Sequence, residues 1–302
     1  MSIQNDIKAP FKSGNIVLQL VIVNVAIFLV INLFKIILFF SGYTGASLNL
    51  MFAQYIQYVA MPMKFDWFIY KPWTLFTYMF SHEGVGHIFW NMVSLYFFGS
   101  IIQSFIGNTR ILALYIYGGI IGALLTLILH STIPVLELRA SALIGASGGI
   151  MAIVTGAATL VPEKRVMLFI FGEVKLVYIA LFYLAIDLIG VQYSDGVGHI
   201  CHIGGAVTGY FFMSALKNGN DWSKPFNKVF YGFTGLFKAK PKPKMKVVRT
   251  APSEKQTTTT VKKDSSSVQA NIDKILDKIS KGGYESLSKE EKDYLFRHGK
   301  DL

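Results

Sequence analysis

The sequence predicts an all-α fold: a polytopic membrane protein, a bundle of six transmembrane helices followed by a short cytoplasmic helical segment at its C-terminal end. Three observations predict it. Of the 302 residues, 52% are apolar and only 16% are charged, against about 25% charged in ordinary soluble domains, and the mean hydropathy is positive. Apolar runs recur that can cross a bilayer core about 30 Å thick, which takes roughly 20 helical residues. The basic residues gather beside or beyond those runs, so the net charge of +11 reads as flanks facing anionic lipid. The lipid bilayer is an expected partner and nucleic acid is not. The one cysteine, Cys201, rules out an intrachain disulfide and leaves the redox compartment unread.

The first run, 16–41, exceeds the apolar core of a signal peptide, about 7–15 residues, and is expected to be a retained helix. A loop rich in methionine and aromatics follows (Met51, Phe52, Met61, Met63, Phe65, Trp67, Phe68, Tyr70), a composition that suits the membrane interface. Helix two is expected over 87–106 and helix three over 110–130. Helix four reaches about Val161, just before Pro162, which cannot continue it. Helix five is expected over 173–191, with Val166–Phe171 approaching it along the interface, and helix six over 198–216.

An even number of spans puts both termini on one side. One set of flanks holds Lys8, Lys12, Arg110, Lys164, Arg165, Lys217, Lys224 and Lys228. The opposite set holds Lys64, Lys71 and Arg139, diluted by Asp66, Glu137 and Asp195. The positive-inside rule makes both termini cytoplasmic. The expected organisation is a cytoplasmic N-terminus (1–14), a six-helix domain (15–217), a basic and Ser/Thr-rich linker (218–268) and a small helical pair (269–302). In that pair Ile272, Ile275, Leu276 and Ile279 recur at helical spacing. Gly282 and Gly283 end the first helix, and Ser288 with Glu291 forms a capping box before the second. The pair either binds an unknown cytoplasmic partner or packs on the lipid surface.

Three polar clusters interrupt the apolar helices, where polar groups are costly and point to function. The first is Gly145-Ala146-Ser147-Gly148-Gly149. Ser147 to Leu160 is 14 residues, about 21 Å of helix at about 1.5 Å per residue, too short to span. The helix is therefore expected to start inside the membrane, with Ser141–Ala146 dipping in as a loop that lines protein or a water cavity. Ser147 then sits at a helix N-terminus, whose unpaired N–H groups favour negative charge. The other reading is a packing face of small residues, with Gly145 and Gly149 against a neighbour.

The second cluster runs from His199 through Cys201 and His202 to Gly205. One histidine is a candidate general base for Ser147, since a serine hydroxyl is a weak nucleophile without one. Gly205 and Gly209 are spaced for close approach to another helix. A hydrogen-bonded packing histidine and a metal site through His199, Cys201 and His202 are the alternatives; no metal and no cofactor is expected. The third cluster is His87-Ile-Phe-Trp-Asn91. Residues four apart share a helix face, so His87 and Asn91 can both donate to a developing oxyanion or serve as interhelical glue.

Two other motifs are discounted. His82-Glu83 with His87 has one residue too many for a zinc H-E-x-x-H helix. Gly145-x-Ser147-x-Gly149 matches a nucleophile elbow, but that elbow needs a preceding strand and an alternating strand–helix chain.

Together and in this order, the clusters resemble the rhomboid family of intramembrane serine proteases. The matching motifs are H-x-x-x-N opening helix two, G-x-S-G opening helix four, and Cys201-His202-Ile-Gly204-Gly205 in helix six. The resemblance covers roughly 70–216. It implies Ser147 as nucleophile and His202 as general base, with the Ser147 N–H, His87 and Asn91 as the oxyanion hole. It also implies transmembrane proteins as substrates, with helix five and the loop Tyr193–Val197 as gate and lid. His199 matches no catalytic position. The sequence departs from the family at Trp73-Thr74, where many members carry Trp-Arg, and at Met151, where many carry an aromatic beneath the base. With no acid in helix six, the expected machinery is a two-residue dyad, and Asp187, in a D-L-x-G stretch near the end of helix five, is read as structural. The competing readings are a catalytically inactive rhomboid-like protein that binds membrane clients and a small transporter, although no internal repeat favours the latter. A bare six-helix core suits a bacterial plasma membrane.

Overall fold

The computed structural model describes residue 10 and residues 14–137, 142–168, 171–193, 196–237 and 265–298. It forms two compact units, 1–239 and 240–302.

The first unit is mainly helical. Helix α1 spans Ile16–Phe40; the Asn15 side chain caps it by accepting from the Leu18 N–H at 3.1 Å. The expected first loop is more ordered than its composition suggested. It holds α2 (Gly45–Ile56), strand β1 (Met61–Pro62), and the short helices α3 (Phe65–Tyr70) and α4 (Thr74–Thr77). Then come α5 (Val85–Ile106) and α6 (Asn108–Thr132), joined through Gly107 at φ +76°. After the short α7 (Pro134–Glu137), β2 (Ala142–Leu143) leads into α8 (Ser147–Leu160). Strands β3 (Arg165–Leu168) and β4 (Gly172–Lys175) lead into α9 (Leu176–Gly190), which is followed by α10 (Gly196–Lys217) and α11 (Ser223–Phe237).

Among the described residues three helices, α1, α5 and α6, are long and apolar enough to cross a membrane; α8 and α9 are apolar but shorter. The fold departs from all-α in two small antiparallel pairs. β1 pairs with β2. β3 pairs with β4, so the stretch expected to run along the interface toward helix five is the first half of a hairpin. Gly196 and Val197, expected in the lid loop, are the first turn of α10, and residues 194–195 lie outside the described residues. The expected linker also begins with structure: α11 occupies 223–237. Asp221 starts it by accepting from the Ser223 N–H and hydroxyl at 3.0 and 2.6 Å, and Phe226 stacks on Phe230. Phe226, Val229, Phe230, Phe233 and Phe237 recur there at helical spacing, between Lys224 and Lys228 and beyond. The basic run 238–249 lies outside the described residues.

The core lies where α6, α8 and α10 meet, and small residues permit the approach. A Cβ on Gly205 would collide with the Gly148 carbonyl, and one on Gly209 with the Ala152 carbonyl. A Cβ on Gly149 would come within 2.7 Å of the Tyr115 carbonyl. Close backbone contact of this kind is how helices associate in a bilayer, where apolar burial alone drives little.

The second unit is α12 (Ser265–Gly282), a 3-10 turn and α13 (Lys289–His298). Gly283, at φ +73°, breaks the chain between them. The Glu291 N–H donates to Ser288 Oγ at 3.2 Å, and the Ser288 N–H donates to Glu291 Oε2 at 2.8 Å, completing the capping box. Lys278 pairs with the same carboxylate at 2.9 Å. Ile272, Ile275 and Leu287 are buried.

Candidate active site

The loop before Ser147 is held from several directions. β1 pairs Met61 with Leu143 and Pro62 with Ala142. The Gly145 N–H donates to the Tyr78 carbonyl at 2.9 Å. The Ala146 N–H donates to His82 Nε2 at 3.3 Å. Burial first, and neighbouring His87 second, hold the His82 imidazole down to about 4. It is therefore neutral at neutral pH, as an accepting Nε2 requires. Loop one, which supplies these partners, is itself anchored by side chains on main-chain carbonyls. Trp73 Nε1 donates to the Tyr58 carbonyl at 2.9 Å and Thr77 Oγ1 to the Val59 carbonyl at 2.7 Å.

Gly145 does not pack a helix face. It precedes α8 at φ +123°, and a Cβ there would lie 2.7 Å from His87 Nε2 and 3.8 Å from Ser147 Oγ. Glycine is needed for the dihedral and for the space. Ser147 is the first residue of α8. Its N–H and those of Gly148 and Gly149 are among the first four of the helix, which have no carbonyl one turn back.

One cavity of about 640 Å³ is lined by Ser147, His202, His87, Asn91, Asp187 and His199, with Met151 in its wall. The candidate nucleophile, base and oxyanion donors thus face a common space, although they come from α5, α8 and α10. Asn91 Nδ2 donates to the His87 carbonyl at 2.9 Å, which fixes the amide and leaves its second hydrogen. The Ser147 hydroxyl and His202 are not in hydrogen-bond contact in this state. Such contacts are commonly long without substrate and tighten when it binds.

An acid outside helix six reaches the histidines from α9. Asp187 Oδ1 lies 2.8 Å from His202 Nδ1 and 2.8 Å from His199 Nδ1. A carboxylate only accepts, so each ring places its N–H at Nδ1. In its neutral form His202 then has its lone pair at Nε2, the form a general base needs. Sequence spacing gave no sign of this contact, because Asp187 reaches the histidines from another helix. The D-L-x-G stretch was the only pointer. Among the described residues Cys201 joins no cluster of metal-type ligands; it is buried, with its sulfur 3.7 Å from the Tyr78 hydroxyl.

At the far end of α6, Arg110 pairs with Asp221 at 2.8 Å. Burial pushes the Asp221 carboxyl up, but hydrogen bonds from Ser223 and Arg110 outweigh it and hold the group below its ordinary value.

The Rhomboid domain family matches residues 70–218, and a family of unknown function matches 261–301. The chain is 28% identical over 157 residues to RHOMBOID-like protein 12, mitochondrial, of Arabidopsis thaliana, covering 48% of this chain and 47% of that one. It is 31% identical over 141 residues to Presenilin-associated rhomboid-like protein A, mitochondrial, of Danio rerio (44% and 35%). It is 30% identical over 123 residues to Rhomboid-related protein 3 of Homo sapiens (38% and 28%). The chain thus spans half or less of the length of each of these relatives.

Proposed function

The chain belongs to the rhomboid family, and from that membership we propose that it is an intramembrane serine endopeptidase, cutting other membrane proteins in or beside their transmembrane segments. The observation that carries this reading is the shared cavity of Ser147, His202, His87 and Asn91, with the His202 ring oriented by Asp187.

In the proposed reaction the Ser147 proton passes to His202 Nε2 as Oγ attacks the substrate carbonyl. The Ser147 N–H, His87 and Asn91 stabilise the resulting oxyanion; one such donor is worth about 2.7–4 kcal/mol. His202 returns the proton to the leaving amine, and water then releases the acyl group with the same base. A helical carbonyl is blocked by its own hydrogen bond, so the substrate helix must unwind locally at the cut. Helix α9 is the proposed gate. Its outer face exposes Leu181, Phe182, Leu188 and Ile189, and it meets the two histidines through Asp187.

The protein is an integral membrane protein. Six spans with both termini cytoplasmic remain part of the proposal, supported by the basic flanks. Relatives that are mitochondrial by name give the expected bacterial plasma membrane no support. Purified full-length chain is expected to cleave a reconstituted transmembrane test substrate, and Ser147→Ala to lose at least about 10³-fold of that rate at equal yield. Undiminished cleavage by Ser147→Ala overturns the assignment.

A further inference from the structure

We propose that Asp187, His199 and His202 form a binding site for a divalent transition-metal ion of the zinc type, and that the bound ion silences His202 as a base. One ligand atom from each side chain can be chosen so that all lie within 4.8 Å of one another. The two Nδ1 atoms already converge on Asp187 Oδ1 at 2.8 Å. The other carboxylate oxygen, Oδ2, is buried with no hydrogen-bond partner among the described residues, although buried acceptors are almost always satisfied. Both imidazoles keep about a quarter of their surface exposed, 26% and 25%, and line the cavity, so an ion can reach them.

Two imidazoles and one carboxylate with open positions suit zinc and its neighbours. Magnesium and calcium want oxygen alone. An ion with bonds of about 2.0–2.2 Å spreads its ligands slightly more than the hydrogen bonds they replace, a small opening between α9 and α10.

The chemical consequence follows from the single proton of a neutral imidazole. Two Nδ1–H···Oδ1 hydrogen bonds break; two metal–nitrogen bonds and one metal–oxygen bond form. Each ring gives up its Nδ1 proton and takes one at Nε2, so no net proton is released. His202 Nε2 then donates and has no lone pair for the Ser147 proton. Inhibition rests on the protease reading; metal binding does not.

The two are tested apart. Full-length Ser147→Ala in detergent is titrated with Co²⁺ and followed by visible d–d absorption. The expected result is saturation at one ion per chain, with no thiolate charge-transfer band because Cys201 is excluded, and displacement by Zn²⁺. Adding His199→Gln, whose amide can still donate to Asp187, is expected to weaken binding at least tenfold, and adding Asp187→Asn likewise. Absence of the bands, or bands unchanged in both double variants, overturns the site. In parallel, saturating Zn²⁺ is expected to lower cleavage by the parent chain at least tenfold, reversibly on chelation. His199→Gln, compared with its own zinc-free rate, is expected to need at least tenfold more Zn²⁺. Parent cleavage that is unaffected while Co²⁺ binds overturns the silencing. A chain that cleaves nothing without metal defeats the protease reading, and the cobalt titration still decides the site.

Discussion

Two walls of one cavity are built in opposite ways. The wall that carries Ser147 is tied down by main chain: the β1–β2 pair, the Gly145 N–H on Tyr78 and the Ala146 N–H on His82. The wall formed by α9 meets the base through one carboxylate, shared between two histidines, while much of the helix surface is apolar and outward-facing. The contrast suits a catalyst that must hold its nucleophile and oxyanion donors rigid yet admit a substrate as bulky as a helix. Preorganised donors do most for a developing charge when they need not move, and a gate must open at low cost. The fixed wall is therefore expected to carry the chemistry and the loose wall to carry admission and alignment of the base.

Short of removing Ser147 or His202 themselves, breaking the loose wall at Asp187 should have the largest effect. Asp187→Asn keeps the shape of the side chain but can present N–H to His202 Nδ1 and so favour the wrong tautomer. It is expected to lower kcat about 10²-fold with little change in KM, measured on a transmembrane substrate across a concentration series. An unchanged kcat would return Asp187 to a purely structural role. Breaking the fixed wall comes next. Gly145→Ala meets both a φ of +123° and the His87 imidazole; backbone strain of this kind costs about 1–3 kcal/mol. Cleavage about tenfold slower, with a lower Tm, is expected. A variant that matches the parent in both would show that the loop yields.

The smallest effect is expected away from both walls. Asp221 is held below its ordinary pKa, so its contribution is complete above its unfolded pKa, about 3.9. It is lost as pH falls through the lower folded value. Arg110→Ala is expected to cost about 1 kcal/mol at neutral pH, near the upper end for a surface ion pair, because the Asp221 side chain is largely covered. The difference in Tm from the parent should shrink at the most acidic pH the fold survives, to what the Arg110 Nη1 hydrogen bond to the Ile106 carbonyl contributes, while cleavage at pH 7 stays the same.

Some of this was legible in the sequence for a physical reason. Ser147, His202, His87 and Asn91 each interrupt an apolar run, and such interruptions stand out where lipid surrounds the helix. The short run from Ser147 to Pro162 likewise marked a short helix opening at the serine, the bounds α8 has. Gly205 and Gly209 stood out through their four-residue spacing. What stayed hidden depends on partners distant in sequence. Asp187 reaches His202 from a different helix, and no periodicity links them. His82 read as a failed zinc motif, yet its nitrogen holds Ala146. The β1–β2 pair joins segments some eighty residues apart with strands too short to leave an alternating pattern. Gly145 looked like part of a small-residue packing face until its dihedral placed it in a loop.

Ser147 is proposed as an activated nucleophile facing a cavity lined by His202, His87 and Asn91. The most direct test is to treat the purified full-length chain with a fluorophosphonate probe and locate the adduct by peptide mass spectrometry. A single adduct on Ser147, abolished in His202→Ala and slowed in Asp187→Asn, is the expected result. A chain that stays unlabelled, or is labelled equally well without His202, would contradict the claim and favour an inactive family member that binds membrane clients.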